Sequence, residues 1–191
     1  MTAADPIRNQ KQLCQLAEYW LKRGNYRNHA LIVLGTHTAL RIGDLLRLKW
    51  DDVYDEKHGE FRPHICVVEK KTGKQKSLAL NPDAAKALRL HLPYRRGEYI
   101  FAGNRKDEQA ISRVQAWRII RVAADAIKAV GSITCHSLRK TFGYFAWKMG
   151  TLPVMLMEIF NHSSFEITRR YLGITQDDRD NVYLKMALFK A

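Results

Sequence analysis

Apolar residues at Leu13, Leu16, Ala17, Trp20 and Leu21 recur at helical spacing and predict one amphipathic helix, closed by Gly24-Asn25. From about Arg27 to Leu40 the chain is apolar through its middle, which predicts a second, buried helix. Ile42, Leu45, Leu46 and Leu48 predict a short third one. Beyond Trp50 the period changes. Arg62–Val68 and Lys76–Leu80 are β-branched or alternating and flank Thr72-Gly73-Lys74, which predicts a hairpin. Asn81-Pro82 is a helix start, because Asn caps and Pro suits the first helical position. Ser112 precedes another helix carrying Val114, Trp117, Ile120, Ala124 and Ile127. The last third is helical again, with breaks near Gly131, Gly150 and Asn161. The expected fold class is mainly α with one small antiparallel β-sheet (α+β).

The chain of 191 residues fits one domain. Its 46% hydrophobic and 27% charged residues are ordinary globular usage and exclude a fibrous or disordered chain. The strongest apolar run, Ala30 to Leu34, falls far short of the ~20 residues that cross a bilayer. Met1–Pro6 has no basic stretch followed by an apolar one, so no secretory signal is expected. Charge changes the picture more. Thirty-two Lys and Arg against 19 Asp and Glu give +13, a balance that suits a polyanionic partner such as nucleic acid. Cys14, Cys66 and Cys135 are widely spaced and contain no Cys-x-x-Cys, which suggests reduced thiols in a cytosol and no zinc site.

Five segments carry the candidate chemistry. Arg41 lies in Thr38-Ala39-Leu40-Arg41-Ile42-Gly43-Asp44-Leu45, at the end of an apolar helix. Lys70-Lys71-Thr72-Gly73-Lys74 puts lysines on the hairpin tip. His136 and Arg139 are three apart, on one helix face. Asn161-His162 marks a helix junction, and Tyr171 follows His162 by nine residues. Taken singly, each has a plain structural reading. Arg41 reads as a cation on a helix dipole, Lys71 as a solvated turn residue, the histidines as caps or core groups, and Tyr171 as a half-buried aromatic.

Taken together and in this order, the segments resemble the tyrosine recombinase (phage integrase) family, over about residues 8 to 175. The resemblance implies that family's catalytic-domain fold over 1–175, with 176–191 as a C-terminal helical tail of the same domain. It also implies an activity: site-specific breaking and rejoining of DNA strands through a covalent 3′-phosphotyrosine. Tyr171 would be the nucleophile. Arg41 and Arg139 would hold the non-bridging oxygens, His136 would sit near the nucleophile's proton, His162 would donate to the phosphate, and Lys71 would protonate the leaving 5′ oxygen. Lys70, Lys74, Lys140 and Arg170 are expected to contact DNA. The implied partners are double-stranded DNA and other protomers on paired sites, with no membrane, no cofactor and no metal. The expected location is cytoplasmic, on the bacterial nucleoid when bound. Asn161 stands where the family usually has Gly, Ala39 where Gly is common, and the family's usual N-terminal core-binding domain is expected to be absent.

The residue types suit the reaction. Attack on a phosphodiester builds negative charge on oxygen, and two guanidiniums offer planar forks of donors for it. A phenol with a pKa of about 10 needs neighbouring cations and a base to ionise near neutrality. The covalent intermediate conserves the phosphodiester energy, so ATP is not needed. The alternatives are a DNA-binding module of the same fold that no longer cuts, a type IB topoisomerase-like enzyme, and a basic RNA-binding protein. His136 argues against the topoisomerase, where a lysine is usual.

Overall fold

A computed structural model describes residues 4–104, 108–174 and 176–186. Two helices open the chain: α1 (Gln10–Leu21), capped by the Asn9 side chain, and α2 (Tyr26–His37), capped by Asn25. The second is buried along most of its length, as its unbroken apolar middle requires. It ends three residues before the expected Leu40. The Thr38 hydroxyl and amide both take up the Leu34 carbonyl, and Ala39 then adopts a left-handed backbone at φ 53°. Single turns follow at α3 (Ile42–Leu45) and α4 (Trp50–Val53).

Two antiparallel ribbons follow rather than one sheet. Strands β1 (Tyr54–Asp55) and β2 (Glu60–Phe61) form a two-residue pair, too short for periodicity to reveal. The expected hairpin is β3 (His64–Val68) and β4 (Gln75–Ala79), in the register Ile65 to Leu78 and Val67 to Lys76. Next come α5 (Pro82–His91), capped by Asn81, and a 3-10 turn at Leu92–Tyr94. Helix α6 (Arg113–Ala126) is capped by Ser112, and α7 (Cys135–Lys148) by Thr134. The last three are α8 (Pro153–Phe160), α9 (Phe165–Leu172) and α10 (Gln176–Lys185).

The main core joins α2 to α5 and the β3–β4 hairpin through Leu31, Leu34, Ile65 and Leu88. A second cluster packs α1, α6 and α7 around Leu16, Ile32 and Ile120. In a third, Ala39, Leu156, Phe160 and Leu172 bring the end of α2 against α8 and α9. Gly143 makes this close packing possible, since a Cβ there would stand 2.9 Å from the Phe160 ring and 3.5 Å from the Tyr171 carbonyl.

Candidate active site

The α2–α3 connector positions Arg41. It caps α3 with extended backbone instead of ending an apolar helix, so the helix-dipole reading does not apply. Its guanidinium meets Glu69 at 3.0 Å. Arg139, on α7, is 1% exposed, the largest fully buried side chain among the described residues. Its two amino groups donate to the Ala39 carbonyl and to the Phe160 carbonyl, the latter at 2.8 Å, while Nε has no hydrogen-bond partner. The left-handed turn at Ala39 thus aims a carbonyl at the arginine.

His136 lies one turn before Arg139, in the first turn of α7. Asn161 ends α8 in a left-handed conformation at φ 52°, the turn expected of an Asn at a Gly-favouring position. The chain then reverses into α9, whose last turn carries Tyr171. The Tyr171 ring lies 5.0 Å from His136 and 4.7 Å from His162, edge-on to both, and 5.1 Å from Phe160. The Arg139 guanidinium is 5.8 Å from the same ring. His162 Nδ1 is 3.0 Å from the Thr168 hydroxyl, which fixes its orientation. Lys71 stands at the exposed hairpin tip and lines an open cleft of about 570 Å³ with Arg41, Arg113, Trp117, His136 and Arg139. All six expected catalytic residues therefore lie around one region, Lys71 at its outer edge.

Electrostatics keep both histidines neutral near pH 7. Partial burial, reinforced by Lys140, Arg139 and Arg41, pushes His136 down to about 4. Burial, then Arg139 and Arg41, does the same to His162, also to about 4. A neutral imidazole beside a phenol can accept its proton.

The expected DNA contacts scatter more. Lys70 and Arg170 are exposed. Lys74 Nζ bonds to Asn161 Oδ1 at 3.1 Å, and Lys140 Nζ, partly buried, to the Ala4 carbonyl at 2.8 Å. Three further residues of the region belong to none of the expected roles. Asp44, 5% exposed, accepts from Arg47 at 2.7 Å and from the Lys70 amide at 3.0 Å. Glu69 is fully buried, and Lys76 reaches it at 3.5 Å and also donates to the Ile159 carbonyl. The signal for the last two is in the strand phase. Glu69 continues the inward series Ile65, Val67, and Lys76 shares its face with Leu78.

On α10, Val182 and Tyr183 are exposed, as is Met186 just after it, and no residue of the helix is buried, so its apolar positions are not covered by their own domain among the described residues. Val182, Met186 and Phe189 fall at i, i+4 and i+7 and predict one apolar stripe on the tail, of which Phe189 lies outside the described residues. Among the described residues no group of His, Cys, Asp and Glu has the geometry of a metal site, and no helix is long and apolar enough to cross a membrane.

The chain is 34% identical over 184 residues to the probable integrase/recombinase YoeC of Bacillus subtilis, covering 96% of this chain and 97% of that one. It is 25% identical over 158 residues to the tyrosine recombinase XerA of Pyrococcus furiosus, covering 81% of this chain but 53% of the relative. The fold matches the crystal structure of XerA recombinase at a TM-score of 0.78, with 21% identity, over 98% of this chain and 68% of that one. It matches XerH bound to its difH substrate in a post-cleavage complex at 0.77, with 17% identity, over 97% and 54%. The model of the phage integrase family matches residues 8–177, and the chain belongs to that family.

Proposed function

We propose that the chain is the catalytic domain of a site-specific DNA recombinase, and that Tyr171 attacks the scissile phosphate to form a 3′-phosphotyrosine. One observation carries this reading: the Tyr171 ring is packed between two neutral histidines and next to a buried arginine. His136 accepts the phenolic proton. Arg41 and Arg139 hold the non-bridging oxygens as charge builds on them. His162 donates to the phosphate. Lys71, on the exposed tip, protonates the leaving 5′ oxygen once DNA fills the cleft. These side chains supply each proton and charge role of the displacement.

The +13 charge supports backbone contact with duplex DNA through Lys70, Arg170 and the cleft-lining Arg113. Lys74 and Lys140 are occupied within the protein and contribute less. XerH was solved on its difH substrate, and lambda integrase as a dimer on a core site and as a tetramer on a Holliday junction. Assembly of several protomers on paired sites is the corresponding expectation for this chain, acting on the DNA of a bacterial cell. The exposed apolar residues of α10 suit docking on a neighbour. A DNA-binding module that no longer cuts is less well supported, because every expected catalytic residue is present and gathered. Recovery of DNA attached covalently to the chain in cells, followed by mapping of the attachment, tests the reading. It predicts attachment through the Tyr171 peptide. DNA that stays with the chain only when a crosslinking reagent is added would contradict it.

A further inference from the structure

Glu69 is a carboxylate with 0% exposure, and removing such a charge from water is costly unless it is paired well. Its four partners come from the α2–α3 connector, from both the tip and the second strand of the β3–β4 hairpin, and from the α8–α9 turn. Arg41 meets Oε1 at 3.0 Å from the α2–α3 connector, and Lys76 meets it at 3.5 Å from β4. The Thr72 hydroxyl donates to Oε2 at 3.0 Å from the hairpin tip, and Asn161 Nδ2 donates to it at 3.1 Å from the α8–α9 turn. The Glu69 backbone also closes the tip, through Gly73 N to Glu69 O at 2.8 Å and Glu69 N to Lys74 O at 3.0 Å. Asn161 completes the tie from the other side by accepting from Lys74 at 3.1 Å. Its left-handed backbone would suit glycine at less cost, yet glycine could make neither side-chain bond.

A two-stranded ribbon is marginally stable alone, and Lys71 sits at the end of this one. We propose that Glu69 and Asn161 form a latch that fixes the tip of the β3–β4 hairpin to the α8–α9 turn and so positions Lys71 over the scissile phosphate. The latch rests on the assignment of Tyr171 and Lys71 to strand cleavage. Both latch members are positioning residues, since they act through the lysine. Burial alone would raise the Glu69 pKa. The Asn161 amide, Lys76, Thr72 and Arg41 outweigh it and hold it at about 2, so the latch stays charged at physiological pH.

Asn161→Gly is the decisive variant, because it keeps the turn and removes only the side-chain bonds. Two measurements read it. In the free protein, hydrogen exchange at the tip amides 72–74 should rise several-fold while the helices keep their protection; unchanged exchange overturns the latch. The second uses a nicked suicide duplex enriched from a randomised pool by covalent capture on the wild-type chain. Cleavage of the ordinary duplex should slow about tenfold, since displacement of a catalytic group by about 1 Å is costly. With sulfur as the 5′ bridging atom the leaving thiolate needs no proton, and the variant should return to near the wild-type rate. Equal slowing on both duplexes overturns the proposal. Tyr171→Phe, run alongside, separates the two levels: an adduct from that variant overturns the functional reading. A wild-type rate for Asn161→Gly beside an inactive Tyr171→Phe overturns the latch alone.

Discussion

Arg139 Nη2 donates to the Phe160 carbonyl at 2.8 Å, so the arginine closes the end of α8 as well as facing Tyr171. The two arginines of the site therefore differ in what their loss does. Arg139→Ala leaves the Ala39 and Phe160 carbonyls without this donor and should cost about 1–3 kcal/mol of stability in addition to activity. Arg41→Ala touches no buried carbonyl, and Glu69 keeps Lys76, Thr72 and Asn161. It should lower cleavage ~100-fold with a small change in stability. Denaturant titration beside single-turnover cleavage separates the two effects.

The depressed histidines set a pH signature. Because kcat/KM reports groups of the free enzyme, its acid limb should fall near pH 4, where His136 protonates, and not near its ordinary value of 6.5. Stability moves the same way. Between about 4 and 6.5 the unfolded chain binds protons that folded His136 and His162 refuse, so stability falls as the pH drops through this window. Below 4.5 Glu69 adds a further loss down to about 2, since only the unfolded carboxyl takes a proton there. Chemical denaturation from pH 7 to pH 4 checks the sign.

Gly143→Ala tests the packing beneath the nucleophile. The added methyl must displace the Phe160 ring, which stacks on His162 at 5.3 Å and carries the Arg139 guanidinium at 4.8 Å. Overpacking of this kind costs about 1–3 kcal/mol. The variant should fold and bind DNA with wild-type affinity in a gel-shift assay, and cleave about tenfold more slowly.

Removal of residues 178–191 tests the tail. Lys148 pairs with Asp178, and this is an exposed contact of small value. The truncated chain should remain folded and bind DNA, yet assemble poorly on paired sites and recombine badly. Sedimentation with and without site DNA measures this. Unchanged assembly and strand exchange would show that α10 serves only its own domain.

Much of this molecule is legible in its sequence. Asn81 and Ser112 announce helix starts by their own hydrogen-bonding chemistry, and both cap as expected. The hairpin is visible because its alternation is local. The end of α2 is not, since Thr38 and Ala39 stop the helix through a carbonyl whose partner, Arg139, lies a hundred residues away. Glu69 and Lys76 are hidden for a related reason. Charged residues in the inward phase of a strand look like errors of pattern until the far segments that neutralise them are in place. The candidate catalytic residues are named by the family resemblance that their order carries, and they fold into one region here, whereas Lys74 and Lys140 are tied within the protein.

The central claim is that Tyr171 becomes covalently joined to DNA. A labelled nicked suicide duplex traps such an intermediate, because the cut fragment diffuses away. The wild-type chain should shift the label to a protein-linked, denaturation-resistant species bearing a 3′ phosphate, and Tyr171→Phe should bind the same duplex without forming it. An undiminished adduct in Tyr171→Phe would contradict the account.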